Sequence, residues 1–258
     1  MRIKQRLFVT AAVAIAAAAA GLGPVGANAA NAADVPVDAA VTSVVQNADG
    51  TITETSYTPA PGVSPADLAQ RLRSRGLNAK AGTQATASLA AASACSKGTA
   101  RTWPSSATCF VRWSYNGAVR PVIDFVDGSG ASWPVGRSVT KWNQTSGIDS
   151  IYRTSTAGCD GAPAHCVHVY SYNYGDTGWT GNTSRTLNSA QTYYTQAVTE
   201  LNDYYGGTEA QKWNTACHEL GHVLGLDHNT STTSCLYYAR TSQQYPNSDD
   251  YSLLESYY

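Results

Sequence analysis

The sequence predicts an α+β fold, in which strands and helices form an α/β sandwich as the main domain and a small segment precedes it. Beyond residue 100, strand-like patterns come first, and helical patterns are interleaved with them and dominate the end of the chain. The aromatic residues mark the main domain: of 3 Phe, 6 Trp and 16 Tyr residues, all but Phe8 and Tyr57 lie beyond residue 100. The earlier part has few large side chains with which to fill a core.

Residues 1–30 have the pattern of a secretory signal peptide. A positive start with Arg2, Lys4 and Arg6 precedes an apolar run from 7 to 20, and small residues with Ala-x-Ala cleavage sites follow. The run is shorter than the roughly 20 residues that span a bilayer, and an anchoring helix is the alternative. We therefore expect a secreted, extracellular protein with no membrane partner.

The charge balance argues against one class of partner. The formal net charge of the chain is −1, whereas nucleic-acid-binding proteins usually carry a basic face. No block of like charges indicates an acidic or basic tail. We expect no nucleic-acid partner.

The chain has 6 cysteines, which in an exported protein favour disulfides over a thiol active site. The sequence alone leaves fifteen pairings open. We favour one short pair within a loop, one pair that ties the histidine motif described below to the turn after it, and the two cysteines that remain. These pairs are Cys159–Cys166, Cys217–Cys235 and Cys95–Cys109.

A small folded segment is predicted after the signal peptide. Val41–Val45 and Thr51–Thr53 flank an Asn-Ala-Asp-Gly turn, which favours a hairpin. Ser64 and Pro65 are typical of a helix start, with serine as the cap and proline in the first turn. Residues 78–94 are rich in Ala, Ser, Thr and Gly, and are typical of a flexible linker.

The order of these pieces indicates a propeptide. A signal peptide, a small folded segment and a linker ahead of a larger domain predict a propeptide with its linker over residues 31–95. The main domain is then expected to cover residues 96–258. A plain accessory domain at 31–95 is the alternative.

The main domain begins with strands and ends with helices. Trp133-Pro134 predicts the start of a short helix, and Asn247 or Ser248 can cap the last one. A helix is also predicted after Thr208, because Gln211 completes a capping box with it. The predicted strands are Phe110–Tyr115, Val119–Val126 and Val167–Tyr174.

The residues that carry chemistry lie in an eleven-residue stretch that begins at His218. His218 and His222 are four residues apart, so they share one face of the helix and can grip one Zn²⁺. Gly225 can take the left-handed conformation that ends a helix, which lets His228 return to the same ion. Three neutral imidazoles with one position left for water are a catalytic zinc arrangement, and Glu219 lies beside them.

This stretch resembles the metzincin signature His-Glu-x-x-His-x-x-Gly-x-x-His at every specified position. Its flanks resemble the matrixin branch and its secreted bacterial relatives, over about residues 103–258 and most strongly from 213 to 258. The resemblance implies a metzincin-like catalytic domain preceded by a propeptide. It further implies a monomeric zinc metalloendopeptidase, made as a zymogen, that acts on protein or peptide substrates. One catalytic Zn²⁺ would be held by the three histidines, with Glu219 as the general base.

The sequence departs from the resemblance beneath the metal. Metzincins have a methionine there, whereas this chain has Leu236, whose similar volume we expect to be tolerated. Tyr238 matches the position of a metal-facing tyrosine in astacin-like relatives, and a packed or surface tyrosine is the alternative. The wall of the substrate pocket is expected in residues 237–247.

Two further features of matrixins are missing from the sequence. The chain has no Pro-Arg-Cys-Gly motif, so we do not expect a cysteine to block the zinc. It has no histidine-rich loop for a second, structural zinc, so we expect a single zinc. Calcium is possible through Asp124, Asp127 or Asp176, although no ligand pattern supports it.

Asp249 and Asp250 resemble an Asp-Asp pair in the last helix of matrixins. In that family the pair braces the turn beneath the zinc and the mature N-terminus. Ordinary compensation of the helix dipole is the alternative.

Two other functions remain open on the sequence alone. One is a catalytically idle zinc-bearing module that binds or inhibits peptides. Glu219 argues against it, because a site without catalysis has no need of a base. The other is a zinc hydrolase that acts on non-peptide substrates.

Overall fold

The fold is organised around a mixed β-sheet. The computed structural model describes residues 40–82, 95–103, 107–159 and 164–258, so the predicted signal peptide and most of the predicted linker lie outside the described residues. All described residues belong to one compact unit, Val35–Tyr258. No helix within the described ranges is both long enough and apolar enough to cross a membrane.

The strands of the main sheet come from both ends of the chain. They are β1 (Val41–Gln46), β2 (Ile52–Pro59), β3 (Ala79–Ala81), β6 (Arg112–Trp113), β7 (Val122–Gly128), β8 (Asp149–Arg153), β9 (Ala164–Tyr172), β10 (Trp179–Leu187) and β11 (Tyr193–Asn202). Two short strands, β4 (Ser96–Lys97) and β5 (Ala100–Arg101), form a separate ribbon.

The N-terminal segment and the main domain share this sheet. The order across it is β3-β1-β2-β10-β11-β9-β7-β8, and β6 pairs with the start of β11. Neighbouring strands from β3 to β11 are antiparallel, and those from β11 to β8 are parallel. The sheet is therefore mixed, which fits the predicted α+β class.

In the described part of the chain, four α-helices accompany the sheet: α1 (Pro65–Ser74), α2 (Val135–Trp142), α3 (Glu209–Val223) and α4 (Ser248–Tyr257). The predicted starts are confirmed where a side chain caps the helix. The Asp67 amide donates to the Ser64 hydroxyl at 3.1 Å, and Asn247 caps α4. The predicted hairpin is also confirmed, because β1 and β2 pair around the turn.

Two hydrophobic cores lie on opposite faces of β2. The larger core joins the sheet to α2, α3 and α4, and it includes Phe125, Trp142 and Leu220. The smaller core joins α1 to β1, β2 and β10; it comprises Val41, Tyr57, Leu68, Ala69, Leu72, Ala79 and Trp179. Side chains alternate between the two faces of a strand. Tyr57 therefore points into the smaller core, and the next residue, Thr58, points toward α3.

The strand predictions were wrong in two respects. The stretch Phe110–Tyr115 is a strand only at Arg112–Trp113, and β7 begins at Val122, because Val119 is 96% exposed. The sequence analysis also missed β10 and β11. The residues of Trp179–Leu187 are mostly Thr, Gly, Ser, Asn and Arg, so they show no alternation of apolar and polar side chains although most of them are buried.

Candidate metal centre

Helix α3 positions the first two histidines. The Gln211 amide donates to the Thr208 hydroxyl at 3.3 Å and the Thr208 amide donates to the Gln211 side chain at 3.0 Å, which confirms the predicted capping box. His218 and His222 follow on one face, with ring centroids 4.6 Å apart. Both side chains are 1% exposed.

A glycine turn brings the third histidine back. Gly225 has φ of +96°, in the left-handed region, and a Cβ there would lie 2.9 Å from the Val111 carbonyl oxygen. The chain reverses after it, and the ring of His228 lies 5.1 Å from the rings of both His218 and His222. The close turn that the sequence predicts at this glycine is confirmed.

The nitrogen donors of the three rings fit a single metal ion. One ligand nitrogen from each of His218, His222 and His228 lies within 4.8 Å of the other two. Nδ1 of His218 can donate to the Cys235 carbonyl at 2.9 Å, and Nδ1 of His222 to the Leu226 carbonyl at 2.8 Å. These bonds turn both Nε2 atoms inward, as metal ligation requires. Nε2 of His228 is buried without a hydrogen-bond partner, and its lone pair is therefore available to a metal ion.

Burial keeps the imidazoles neutral. It lowers the pKa of His218 to about 4. Burial, with the neighbouring imidazoles adding to it, holds the pKa of His222 and of His228 well below the usual value. Neutral imidazole is the form that binds a metal, so the environment favours ligation over protonation.

Glu219 lies between α3 and the sheet. Its side chain is 0% exposed. The Thr183 hydroxyl, on β10, donates to Oε2 at 2.8 Å, and the Thr58 hydroxyl, on β2, donates to Oε1 at 2.6 Å. Burial raises the pKa of Glu219 to about 7, against these two hydrogen bonds and Arg185, which lower it.

Two residues that the sequence analysis missed surround the imidazoles. The Trp103 ring meets the rings of His222 and His228 edge-on at 5.4 Å and 6.5 Å. The Arg185 guanidinium lies 4.3 Å from the Trp103 ring centroid and donates to the His222 carbonyl at 3.2 Å. Arg185 is 0% exposed, which is rare for arginine. The sequence shows only an arginine among small polar residues. This pattern predicts a buried arginine only once the segment is known to be a buried strand.

Leu236 packs beneath the histidine helix. A Cβ at Gly221 would lie 2.8 Å from a methyl of Leu236, so the leucine fills the space under the turn between the two helical histidines. The turn is held by hydrogen bonds from the Leu236 amide to the Ser234 hydroxyl at 3.0 Å, and from that hydroxyl to Asp250 at 2.6 Å. Leucine thus occupies the position where metzincins have methionine.

The acidic pair of α4, Asp249 and Asp250, contacts both the end of its own helix and the segments around it. Asp250 completes the cap of α4 with Asn247 and also accepts from Asn229 at 2.7 Å, which braces the turn under the site. Asp249 accepts from the amide and hydroxyl of Thr99 at 2.7 Å and 2.8 Å. The pair therefore braces the turn and the start of the main domain as well as the helix end.

The segment 237–247 is tied to α3. The Asn214 side chain donates to the Gln243 carbonyl at 2.7 Å and accepts from the Thr241 amide at 3.0 Å. The ring of Tyr238 lies 4.6 Å from that of Tyr237. A substrate wall in this segment and an approach of Tyr238 to the metal stay predictions.

The three aspartates considered for calcium all have protein partners. Asp124 is buried and paired with Arg153. Asp127 accepts from Ser129 and, at 3.0 Å, from the Tyr152 hydroxyl. Asp176 pairs with Arg71, 3.0 Å away. Each carboxylate thus already serves a local contact, and calcium binding stays an untested expectation.

Two of the predicted disulfides are present, Cys159–Cys166 and Cys217–Cys235. No disulfide joins the third pair, Cys95 and Cys109. The two side chains are instead hydrogen-bonded to each other, and burial together with this bond raises the pKa of Cys95 to about 12. The sequence analysis thus predicted these two cysteines correctly as neighbours but not as a disulfide.

A comparison with known families found one match, to part of the chain. The matrixin family profile matches residues 147–258, a region that includes all three histidines and Glu219. This region is matrixin-like. No curated protein matches the chain at a significant level.

The matrixin-like region starts later than the resemblance suggested, at 147 instead of about 103. It contains β8 to β11, α3 and α4, and therefore the whole histidine site. The mixed sheet and the helices fit the α+β fold of a metzincin. Matrixins are zinc metallopeptidases, so the family implies hydrolysis of peptide bonds in proteins or peptides and a zinc ion as the metal.

Proposed function

We propose that the protein is a secreted zinc metalloendopeptidase, with zinc bound by His218, His222 and His228 and with Glu219 as its general base. The observation that carries the proposal is the convergence of three neutral imidazole nitrogens beside one buried carboxylate within the matrixin-like region. Three ligands leave a position free for water, which distinguishes a catalytic zinc site from a structural one.

The chemistry follows from these groups. A bound zinc ion supplies a Lewis acid that activates water near neutral pH. Glu219 accepts a proton from the attacking water as its oxygen adds to the peptide carbonyl carbon. Glu219 then returns the proton to the amine as the carbon–nitrogen bond breaks. The carbonyls of Cys235 and Leu226 fix the orientation of two imidazoles throughout.

The organisation of the whole chain is part of the proposal. We assign residues 1–30 to a signal peptide, 31–95 to a propeptide with its linker, and 96–258 to the catalytic domain of a monomeric zymogen. The two disulfides and the lack of a membrane-spanning helix among the described residues are compatible with an extracellular protease.

Metal removal tests the function. The secreted protein, once its N-terminal segment has been removed, should hydrolyse casein and contain one zinc per chain. A chelator such as 1,10-phenanthroline should abolish hydrolysis, and one equivalent of zinc should restore it. His222→Ala should bring zinc content and hydrolysis to background, whereas His168→Ala, on β9, should change neither.

Zinc binding without hydrolysis would favour the alternative function, a zinc-bearing module without catalysis. A processed protein that holds one zinc per chain but leaves casein intact would be an idle zinc-bearing module that binds or inhibits peptides. Hydrolysis that survives complete removal of the metal would exclude zinc chemistry altogether.

A further inference from the structure

Strand β2 covers the edge of the matrixin-like part of the sheet. It is 8 residues long and pairs antiparallel with β10 from Ile52↔Leu187 to Pro59↔Trp179. The Ala60 amide extends the pairing with a bond to the Gly178 carbonyl at 2.8 Å. Without β2, β10 would be an edge strand with unpaired amides and carbonyls, a ready template for another extended chain.

One face of β2 points at the catalytic groups. Thr58 lies opposite Gly181 in the antiparallel register, and its hydroxyl reaches past that glycine to Glu219. A Cβ at Gly181 would lie 2.6 Å from Oε1 of Glu219, so only glycine leaves room for this contact. Further along β2, Glu54 lies directly opposite Arg185.

Glu54 interacts with Arg185 and Trp103, next to the metal centre. Its side chain is 7% exposed, and burial raises its pKa, while the charge of Arg185 and a hydrogen bond from Trp103 lower it. Arg185 and Trp103 are the residues that contact His222. Strand β2 is therefore linked to the metal centre at two points, through Thr58 and through Glu54.

The site is closed while β2 is in place. Thr58 is 2% exposed, His218 and His222 are 1% exposed and Glu219 is 0% exposed. A general base must come within hydrogen-bond reach of the water that it deprotonates. Among the described residues, Thr58 and Glu219 are buried against each other, so this contact holds the carboxylate away from a polypeptide substrate, as in a latent form.

We propose that residues 40–82 are a built-in inhibitor, which binds as an extra strand on β10 and engages Glu219 through the hydroxyl of Thr58. The inference rests on the proposed peptidase function. It requires no cysteine, in agreement with the missing Pro-Arg-Cys-Gly motif. The strand blocks the site by occupying the sheet edge and by fixing the catalytic carboxylate.

Several contacts that hold residues 40–82 on the main domain are polar and can be broken without exposing a large apolar surface. Arg71 of α1 pairs with Asp176, 3.0 Å away, with both side chains well exposed. On the outer face of β2, the hydroxyls of Thr55 and Ser184 lie 2.8 Å apart. Trp179, with Tyr174 packed against it, is the main-domain part of the smaller core, and Ile52 of β2 packs against the larger core. Backbone pairing and polar side chains supply other contacts of β2 with β10, which suits an inhibitor that must later leave.

Ligand binding to the intact, zinc-loaded chain tests whether β2 closes the site. The probe is a peptide hydroxamate, a zinc-binding peptide analogue, with affinity measured by calorimetry. Glu54→Arg places two guanidinium groups opposite each other and should displace β2, so we expect at least tenfold tighter binding than in the wild type. Val45→Arg also introduces an arginine, on β1 at a residue that is 51% exposed and does not face β10, and should bind like the wild type. Equal affinity of wild type and Glu54→Arg, at any level, would overturn the proposal.

A second variant tests the contact with Glu219 by removing a single donor. Thr58→Val keeps the side-chain shape and removes the donor, which weakens the docking of β2, and a hydrogen bond to a charged group is worth enough for about a tenfold effect. We expect about tenfold faster hydrolysis of a quenched fluorescent peptide by the uncut chain. The control is Thr51→Val, whose hydroxyl bonds to Asp49 within the hairpin turn. Intact mass after the assay excludes cleavage during it.

The two measurements separate the inhibitor from the peptidase. If every chain hydrolyses the peptide at the same rate, the peptidase proposal stands and the inhibitor proposal fails. If the processed protein does not hydrolyse it either, the peptidase proposal fails. Tighter binding of the hydroxamate to Glu54→Arg would then show only that β2 covers the metal site.

Discussion

The C-terminal region from 208 to 258 and the N-terminal segment from 40 to 82 are held in the structure by different kinds of contact. The C-terminal region is anchored in the larger core and by buried hydrogen bonds of Asn214 and Asp250. The N-terminal segment is attached by strand pairing, the exposed ion pair of Arg71 with Asp176, a small core and the buried hydrogen bond from Thr58 to Glu219. The difference indicates a rigid site and a removable cover, since burial of apolar surface is the main source of stability.

The largest effect should come from the catalytic carboxylate. Glu219→Gln removes the proposed base but keeps the shape, and should lower kcat by about 10²- to 10⁴-fold while zinc content is unchanged. Glu209→Gln, at the exposed start of the same helix, is the matched control and should be neutral. Undiminished peptide hydrolysis by the Glu219 variant would remove this residue from the mechanism.

The smaller core offers the next effect. Leu68 is 0% exposed, and Leu68→Ala should cost about 2–5 kcal/mol. Hydrogen exchange should accelerate in β1, β2 and β3 but not in α3, because the cover loosens alone. Leu77→Ala, at a residue 37% exposed, should change stability by less than about 0.5 kcal/mol. Equal acceleration in α3 would mean that the two regions form one cooperative unit.

The brace under the site should give an intermediate effect. Asp250→Asn puts an amide donor among the donors that the carboxylate now accepts from, and we expect a loss of about 1–3 kcal/mol. The melting temperature should fall by about 2–4 °C for each kcal/mol. Asp249→Asn is the control on the same turn and should have a smaller effect, since its partner Thr99 is only partly buried. A larger loss in the control would place the main brace at Thr99.

The smallest effect is expected at the floor of the site. Leu236→Met restores the residue that metzincins have and conserves volume, so the change in stability should stay below about 1.5 kcal/mol. Zinc affinity should be unchanged, as measured by competition with a chromophoric chelator. A clear gain in zinc affinity would show that Leu236 weakens the metal site. The C-terminal region would then be less rigid, and closer to the N-terminal segment, than we infer.

The local elements were predictable wherever a short pattern carries its own physical reason. The capping box of Thr208 and Gln211, the cap at Ser64 and the left-handed Gly225 all depend on neighbours a few residues away. Strand β10 was missed because most of its residues are polar although it is buried on both faces. Its polar side chains serve partners such as Glu219 and the His222 carbonyl, which lie far away in the sequence.

The sequence by itself determined the histidine motif, its helix and its turn, because ligand spacing on a helix and glycine conformation are local properties. Two of the three cysteine pairs that we favoured from the sequence are also formed, although the sequence left the pairing open. Only the tertiary structure decided that Arg185 and Trp103 flank the imidazoles, and that Thr58 meets Glu219 across 161 positions of the chain. Such contacts follow from which strands become neighbours in the sheet, and strand order is set by the packing of the whole molecule.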